Sequence, residues 1–362
     1  MKRRLKPSVK KFLIIFTIIL ILFILGFSLY KIFLAPVSSK DEKVELIVNK
    51  GETFLTIADD LKNHKLIRSR LAYKLYIKFN KIDGLHEGGY ILNRNMTIKE
   101  IVDVLKSKSS TNPNVIRITF KEGINMRKIA SLIEQNTNHT SEEVFALLKD
   151  QNYLNELINE YWFVTEDIKN PNIYYSLEGY LFPNTYEFGN KDVDIKEIFK
   201  KMLDNMEKKL EPYKNKITSS NFSIHELLTL ASIVELEAAL SDDRSGVAGV
   251  FYNRLAAGWS LGSDVTTYYA AQIDMNERDL YQSELEAYNA YNTRSSKMAG
   301  KLPIGPICIP STESINAVIN PKNHDYFYFV ADKNKKTYFS KTSLEHNNII
   351  AKLKKEKLWY EY

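Results

Sequence analysis

Apolar and polar positions along this chain recur with spacings that predict most of its elements. An apolar run of 19 uncharged residues extends from Phe12 to Tyr30 and continues past Lys31 through Phe33 and Leu34. As a helix it is roughly 28 Å long, close to the hydrocarbon thickness of a bilayer. It exceeds the apolar core of a signal peptide, and Phe33 stands where a cleavage site wants a small residue. An uncleaved transmembrane anchor over 12–34 is therefore expected. Residues 35–43 are polar and read as a tether. A strand, glycine turn and amphipathic helix then appear twice. Leu46, Val48, Gly51, Ile57, Ala58 and Leu61 recur at a uniform offset of 72 residues as Ile118, Phe120, Gly123, Ile129, Ala130 and Ile133.

Between the copies the pattern predicts a helix over 69–79, a strand over 88–92 and a helix over 97–107 opened by the capping-box pair Thr97 and Glu100. These make a small α+β module over 44–109, ended by a Ser/Thr/Asn/Pro-rich stretch over 107–114. Further helices are expected over 141–149 and 194–209. The run 224–240 lacks Gly and Pro and has a capping-box pair in Ser223 and Glu226, so it reads as a mostly buried helix. Another helix is expected over 243–255, a turning segment over 258–269, and a hairpin from Tyr326–Ala331 and Tyr338–Ser340 around the turn 333–336. The final helix is expected over 342–355.

The 224–240 helix is too apolar to be a solvated face, yet it holds Glu235 and Glu237. At 100° per residue the two lie about 200° apart, so they occupy different faces and have different roles. Periodicity alone leaves open whether they pair with Arg244 or Arg254, meet solvent, or do chemistry.

Charge and composition narrow the picture. The net charge of +6 comes from six basic residues within the first eleven, leaving 44 basic and 44 acidic residues in the remainder. A neutral body argues against a nucleic-acid binder, and the basic tail 1–11 places the N-terminus in the cytoplasm and the rest outside. The single cysteine, Cys308, excludes an intrachain disulfide. His225-Glu226-Leu227-Leu228-Thr229 begins like a zinc-protease helix but lacks the second histidine, so no metal or other cofactor is expected. Cys308 in its apolar, Pro-rich setting reads as a buried inert thiol rather than a nucleophile served by His324 or His346.

Several segments in order carry a more specific signal: Glu122-Gly123, the aromatic loop Leu177-Glu178-Gly179-Tyr180-Leu181-Phe182-Pro183-Asn184-Thr185-Tyr186, Ala231 to Glu237, Val250 to Leu255, Tyr291-Asn292-Thr293, Leu302 to Ile307, and Tyr328 to Ala331 with Glu345-His346-Asn347. Together they resemble the membrane-anchored endolytic murein transglycosylases, the MltG or YceG-like family. The resemblance implies an N-terminal transmembrane helix, a small LysM-like α+β module at 44–109 and a larger mixed α+β catalytic domain at 114–362. It further implies cleavage of the β-1,4 bond between N-acetylmuramic acid and N-acetylglucosamine in nascent strands, leaving 1,6-anhydro ends. By that resemblance Glu235 is the single general acid and base. Glu237, Glu178, Arg254, Asp264, Tyr291, Asn292 and Thr293 are candidates for holding sugars or stabilising charge. Peptidoglycan strands and peptidoglycan synthases (penicillin-binding proteins) are the implied partners, at the cell membrane.

Departures from the family pattern fall at Gly262-Ser263-Asp264-Val265, at Trp259 and at Thr337. They keep two other readings open: a hydrolytic muramidase using a second carboxylate such as Asp264, and a weakly active wall-binding scaffold.

Overall fold

A computed structural model describes residues 16–17, 20–21, 26, 28–49, 51–107 and 115–359. Most of the expected anchor over 12–34 lies outside the described residues. Its described parts are helical through residue 34, and among the described residues no helix is long and apolar enough to cross a membrane. The chain divides into two compact units, residues 1–115 and 116–362.

In the first unit, β1 (Lys43–Val48) is followed by α1 (Ala58–Asn63) and α2 (Arg70–Phe79), then β2 (Gly88–Asn93) and α3 (Ile98–Lys106). β1 and β2 pair antiparallel, from Lys43 opposite Asn93 to Val48 opposite Gly88. Leu46, Val48, Tyr90 and Leu92 point to one side of this ribbon and close a core with Ile57, Leu61, Ile101 and Leu105. That burial is what a two-stranded ribbon needs, since it is barely stable alone. Thr97 and Glu100 form the expected capping box. The polar stretch 35–43 is held against this unit rather than free. Pro36 O accepts from Arg68 Nε and Nη2 at 2.9 and 2.6 Å, and Ser38 N donates to Arg94 O at 3.0 Å.

The second unit opens with the second copy of the repeat, β3 (Ile116–Phe120) leading to α4 (Met126–Asn136), then α5 (Ser141–Leu147) and α6 (Gln151–Glu160). Gly51 and Gly123 both sit in the left-handed region, at φ 87° and 76°, which is why each copy needs glycine in its turn. The copies differ in their partner strands. β3 pairs antiparallel with β4 (Asn184–Phe188), which takes in the last three residues of the aromatic segment. α7 (Ile195–Leu210) and the short α8 (Lys214–Thr218) follow, and then α9 (Ile224–Glu237) runs through the middle of the core.

Every α9 side chain from Ile224 to Val234 except Glu226 is buried, as expected of a helix that is apolar nearly all round. Ser223 and Glu226 close its capping box. α10 (Arg244–Ala256) packs beside it. A helix, α11 (Asp264–Ala271), stands where the glycines suggest only a turning segment. α12 (Gln282–Glu286) and α13 (Thr312–Ile319) precede the hairpin β5 (Tyr328–Ala331) and β6 (Thr337–Ser340), and α14 (Ser343–Lys355) follows it. α13 lies against both α9 and α10. This α9–α10–α13 bundle fixes the C-terminal end of α9, where the two glutamates sit.

Candidate active site

The two carboxylates of α9 meet opposite environments. Glu235 lies at the junction of α9, α10 and α13. Its Oε1 accepts from Arg244 Nη2 at 2.9 Å, and its Oε2 accepts from Ser311 N at 2.8 Å, Ser311 Oγ at 2.5 Å and Ser314 Oγ at 2.8 Å. Arg244 also donates to Ser311 Oγ at 3.0 Å. Only 7% of the Glu235 side chain and 16% of the Arg244 side chain is exposed. Both oxygens are committed as acceptors to donors that staple three helices together, so neither is presented to an incoming sugar. The expected assignment of the acid to Glu235 does not fit this arrangement.

Glu237 points the other way, into a cavity of about 590 Å³, a size typical of ligand clefts. The cavity is walled by Arg254 from α10, by residues 259–265, by Arg294, and by Tyr328, Phe329 and His346. Among the described residues the hydrogen-bond partner of the Glu237 side chain is Ser263, whose Oγ donates to Oε1 at 2.5 Å. Burial pushes the Glu237 carboxyl above the usual carboxylate range. Asp264 nearby adds to the shift, against the Ser263 hydrogen bond and the charges of Arg294 and Arg254. A half-buried carboxyl that resists ionisation and opens onto a cleft is the arrangement a general acid needs.

Arg254 and Asp264 share this cavity. Arg254 donates from Nε to Phe327 O at 2.7 Å and from Nη1 to Leu261 O at 2.5 Å, and its guanidinium lies 5.6 Å from the Tyr328 ring centroid. The end of its own helix is therefore not its anchor. Asp264 accepts from Arg294 Nε at 2.5 Å and stays about half exposed.

The other sugar-contact candidates are buried and act at one remove. Asn292 Oδ1 accepts from Thr267 Oγ1 at 2.7 Å, while its Nδ2 donates to the carbonyls of Glu284, Leu285 and Ala287. Thr293 Oγ1 accepts from Ser263 N at 3.0 Å and contacts Thr266 Oγ1 at 2.8 Å. Tyr291 is buried, with its hydroxyl accepting from Tyr174 N at 3.2 Å. The Tyr291-Asn292-Thr293 turn thus clamps the start of α11 and through Ser263 orients Glu237.

Glu178 is 2% exposed. Its Oε2 accepts from Met126 N and Tyr269 Oη, both at 2.9 Å, and its Oε1 has no partner among the described residues. It ties the aromatic loop to α4 and α11 and does not reach the cavity. Burial pushes its carboxyl up to about 7, against the opposing hydrogen bonds from Met126 and Tyr269. Because the folded value lies above the ordinary 4.5, the folded unit binds the extra proton. This contribution to stability is full below the ordinary 4.5 and is lost as pH rises from there through about 7, by about 3 kcal/mol in all. Thermal melts between pH 5 and pH 8 check this. The stability difference between wild type and Glu178→Gln should change with pH in that window, and a constant difference would refute it.

Four further cavity residues were not among the site candidates: Arg294, Ser263 and Trp259, the latter two marked in the sequence only as departures from the family pattern, and His346. Trp259 is 43% exposed and packs against Phe327 at 4.9 Å between ring centroids, offering an aromatic face. His346 lies tilted against Tyr328 at 5.4 Å between ring centroids, and its Nδ1 is buried without a partner among the described residues. Burial, helped by the charge of Arg254, pushes its pKa down, which keeps a neutral imidazole at the cavity wall. Its place in the Glu345-His346-Asn347 segment is the one signal that could have found it.

The remaining chemistry-bearing residues are structural. His225 bridges Tyr180 Oη at 2.7 Å and Ile304 O at 2.8 Å. Cys308 is fully buried with its Sγ directed to Ser232 O at 3.3 Å, and burial pushes its thiol up. Among the described residues no three His, Cys, Asp or Glu side chains are grouped to hold a metal ion.

Comparison with known proteins points in one direction. The profile of the YceG-like family matches residues 46–352, running through both units. An endolytic murein transglycosylase of Bacillus subtilis is 37% identical over 320 residues, covering 88% of this chain and 87% of that protein. One from Streptococcus pneumoniae is 30% identical over 343 residues, covering 90% of this chain but 61% of the longer relative. A solved yceG-like protein from Listeria monocytogenes superposes with a TM-score of 0.60 at 32% identity, over 86% of this chain and 100% of that one.

Proposed function

The chain belongs to the YceG-like family, and from that premise we infer that it is an endolytic murein transglycosylase and propose Glu237 as its general acid and base. The observation that carries the assignment is the contrast within α9. Glu237 opens onto the cavity with a raised pKa, while Glu235 is consumed by Arg244, Ser311 and Ser314.

Cleavage of the bond between N-acetylmuramic acid and N-acetylglucosamine needs a proton on the leaving oxygen as the bond to the anomeric carbon breaks. Protonated Glu237 supplies it, and Ser263 holds the carboxyl in place. The 6-hydroxyl of the muramic acid then closes on its own anomeric carbon, and the Glu237 carboxylate takes up the hydroxyl proton. The result is a 1,6-anhydro end, and one carboxylate serves both steps because its roles are reversed between them. Arg254, Arg294, Trp259 and neutral His346 surround this chemistry with donors and an aromatic face.

Asp264 in the same cavity supports a second reading, a muramidase in which a second carboxylate activates water. Digestion of peptidoglycan in ¹⁸O-labelled water followed by mass spectrometry separates the two. Anhydro ends free of label are expected, and labelled reducing ends would assign the hydrolytic mechanism.

The uncharged run over 12–34 supports a single-pass anchor in the cell membrane with the basic tail inside, which would keep cutting close to newly made strands. The module over 44–109 is read as LysM-like and glycan-binding, with peptidoglycan synthases as the partners that supply nascent strands.

A further inference from the structure

An enzyme that cuts inside a strand has to hold sugars on both sides of the bond it breaks, so the groove must continue beyond the cavity of Glu237. A second cavity, of about 370 Å³, adjoins it. The two share Val265 as a wall, and the second is lined by Leu236, the residue next to Glu237. Its other walls come from the turn after β3, the first turn of α4, Tyr268 and Tyr269 of α11, and the loop 273–276. Gly123 keeps one wall thin. A Cβ there would lie 3.2 Å from Leu236 Cδ2, in a backbone already at φ 76°.

The chemistry of this lining suits an amphipathic, partly anionic ligand. Tyr268 is half-buried and gives a ring against which a sugar face can rest. Asn276 offers an amide to hydroxyl or acetamido groups. Lys128 is exposed at the rim and has no ion-pair partner among the described residues. The nearby acid, Asp274, is already paired with Arg127 at 3.1 Å. A lone ammonium beside a sugar-sized cleft complements a carboxylate. In a glycan of this class, carboxylates are carried by the peptide attached to the lactyl group of muramic acid.

Resting on the transglycosylase reading, we propose that this second cavity is a glycan subsite on the far side of Glu237, in which Tyr268 holds a muramoyl sugar and Lys128 meets a carboxylate of its stem peptide. The test is binding by the full-length chain in the uncleaving Glu237→Gln background. The probes are purified glycan strands, either with their stem peptides or stripped of them by an amidase, with each lactyl carboxylate so released capped as its methylamide.

Lys128→Glu is expected to weaken binding of peptide-bearing strands about five- to tenfold while leaving stripped strands unchanged. Tyr268→Ala is expected to weaken both to a similar extent. Equal binding of both probes by the parent and both variants overturns the proposal. Loss of both probes with Lys128→Glu, with unchanged melting, would overturn the stem-peptide contact. The outcome is separable from the catalytic reading, because labelled reducing ends from the wild-type chain would refute the transglycosylase reaction without altering the binding comparison.

Discussion

Glu237→Gln should stop strand cleavage while leaving the fold intact. Removing a positioned general acid typically lowers rate on the order of 10²–10⁴-fold, and here the same group also serves as base. The amide keeps the shape of the side chain and can still accept from Ser263. Folding should not suffer. Burial raises the Glu237 pKa, so the ionised carboxylate opposes the folded state as pH rises through its folded value, and an uncharged amide avoids that penalty. The melting temperature of the variant at neutral pH should therefore equal or exceed that of wild type. The wild-type rate should decline on the alkaline side as Glu237 loses its proton. Release of soluble muropeptides, measured across pH beside thermal melts, checks all three. A variant with wild-type turnover would remove Glu237 from the chemistry.

The sequence foretold what is local and missed what depends on distant contacts. The capping pairs Thr97/Glu100 and Ser223/Glu226 and the glycine turns at Gly51 and Gly123 lie within a few residues of the elements they control. Helix geometry also established that Glu235 and Glu237 face apart. It could not say which of them faces the cleft, because that is decided by Ser311 and Ser314, more than 70 residues further on, and by Ser263. α11 was hidden for a similar reason. Val265, Thr266 and Thr267 are poor helix formers, flanked by Gly258 and Gly262. Hydrogen bonds from Thr266 to Ser263 O and from Thr267 to Asn292 hold the turn instead. The polar Tyr291-Asn292-Thr293 segment was a candidate ligand contact through the family resemblance, which says nothing of the side chains it meets. Its groups are in fact spent on α11 and on neighbouring backbone.

Glu235 should report on stability where Glu237 reports on rate. Removing one member of a buried ion pair strands the other charge, and losses of about 3–5 kcal/mol are usual. Glu235→Ala leaves Arg244 opposite no carboxylate and removes the acceptor shared by Ser311 and Ser314, at the point where α9, α10 and α13 meet. A drop in melting temperature of roughly 10 °C is expected. Cleavage by the protein that remains folded should fall far less than in Glu237→Gln. Pairing the change with Arg244→Met removes the stranded charge, so the double variant should recover part of the lost stability, a coupling that a double-mutant cycle measures directly. A purely catalytic Glu235 predicts the reverse: unchanged melting, no cleavage, and no recovery from the second substitution. That pattern would return the acid to Glu235 and leave Glu237 as a cavity-lining carboxylate that holds Ser263.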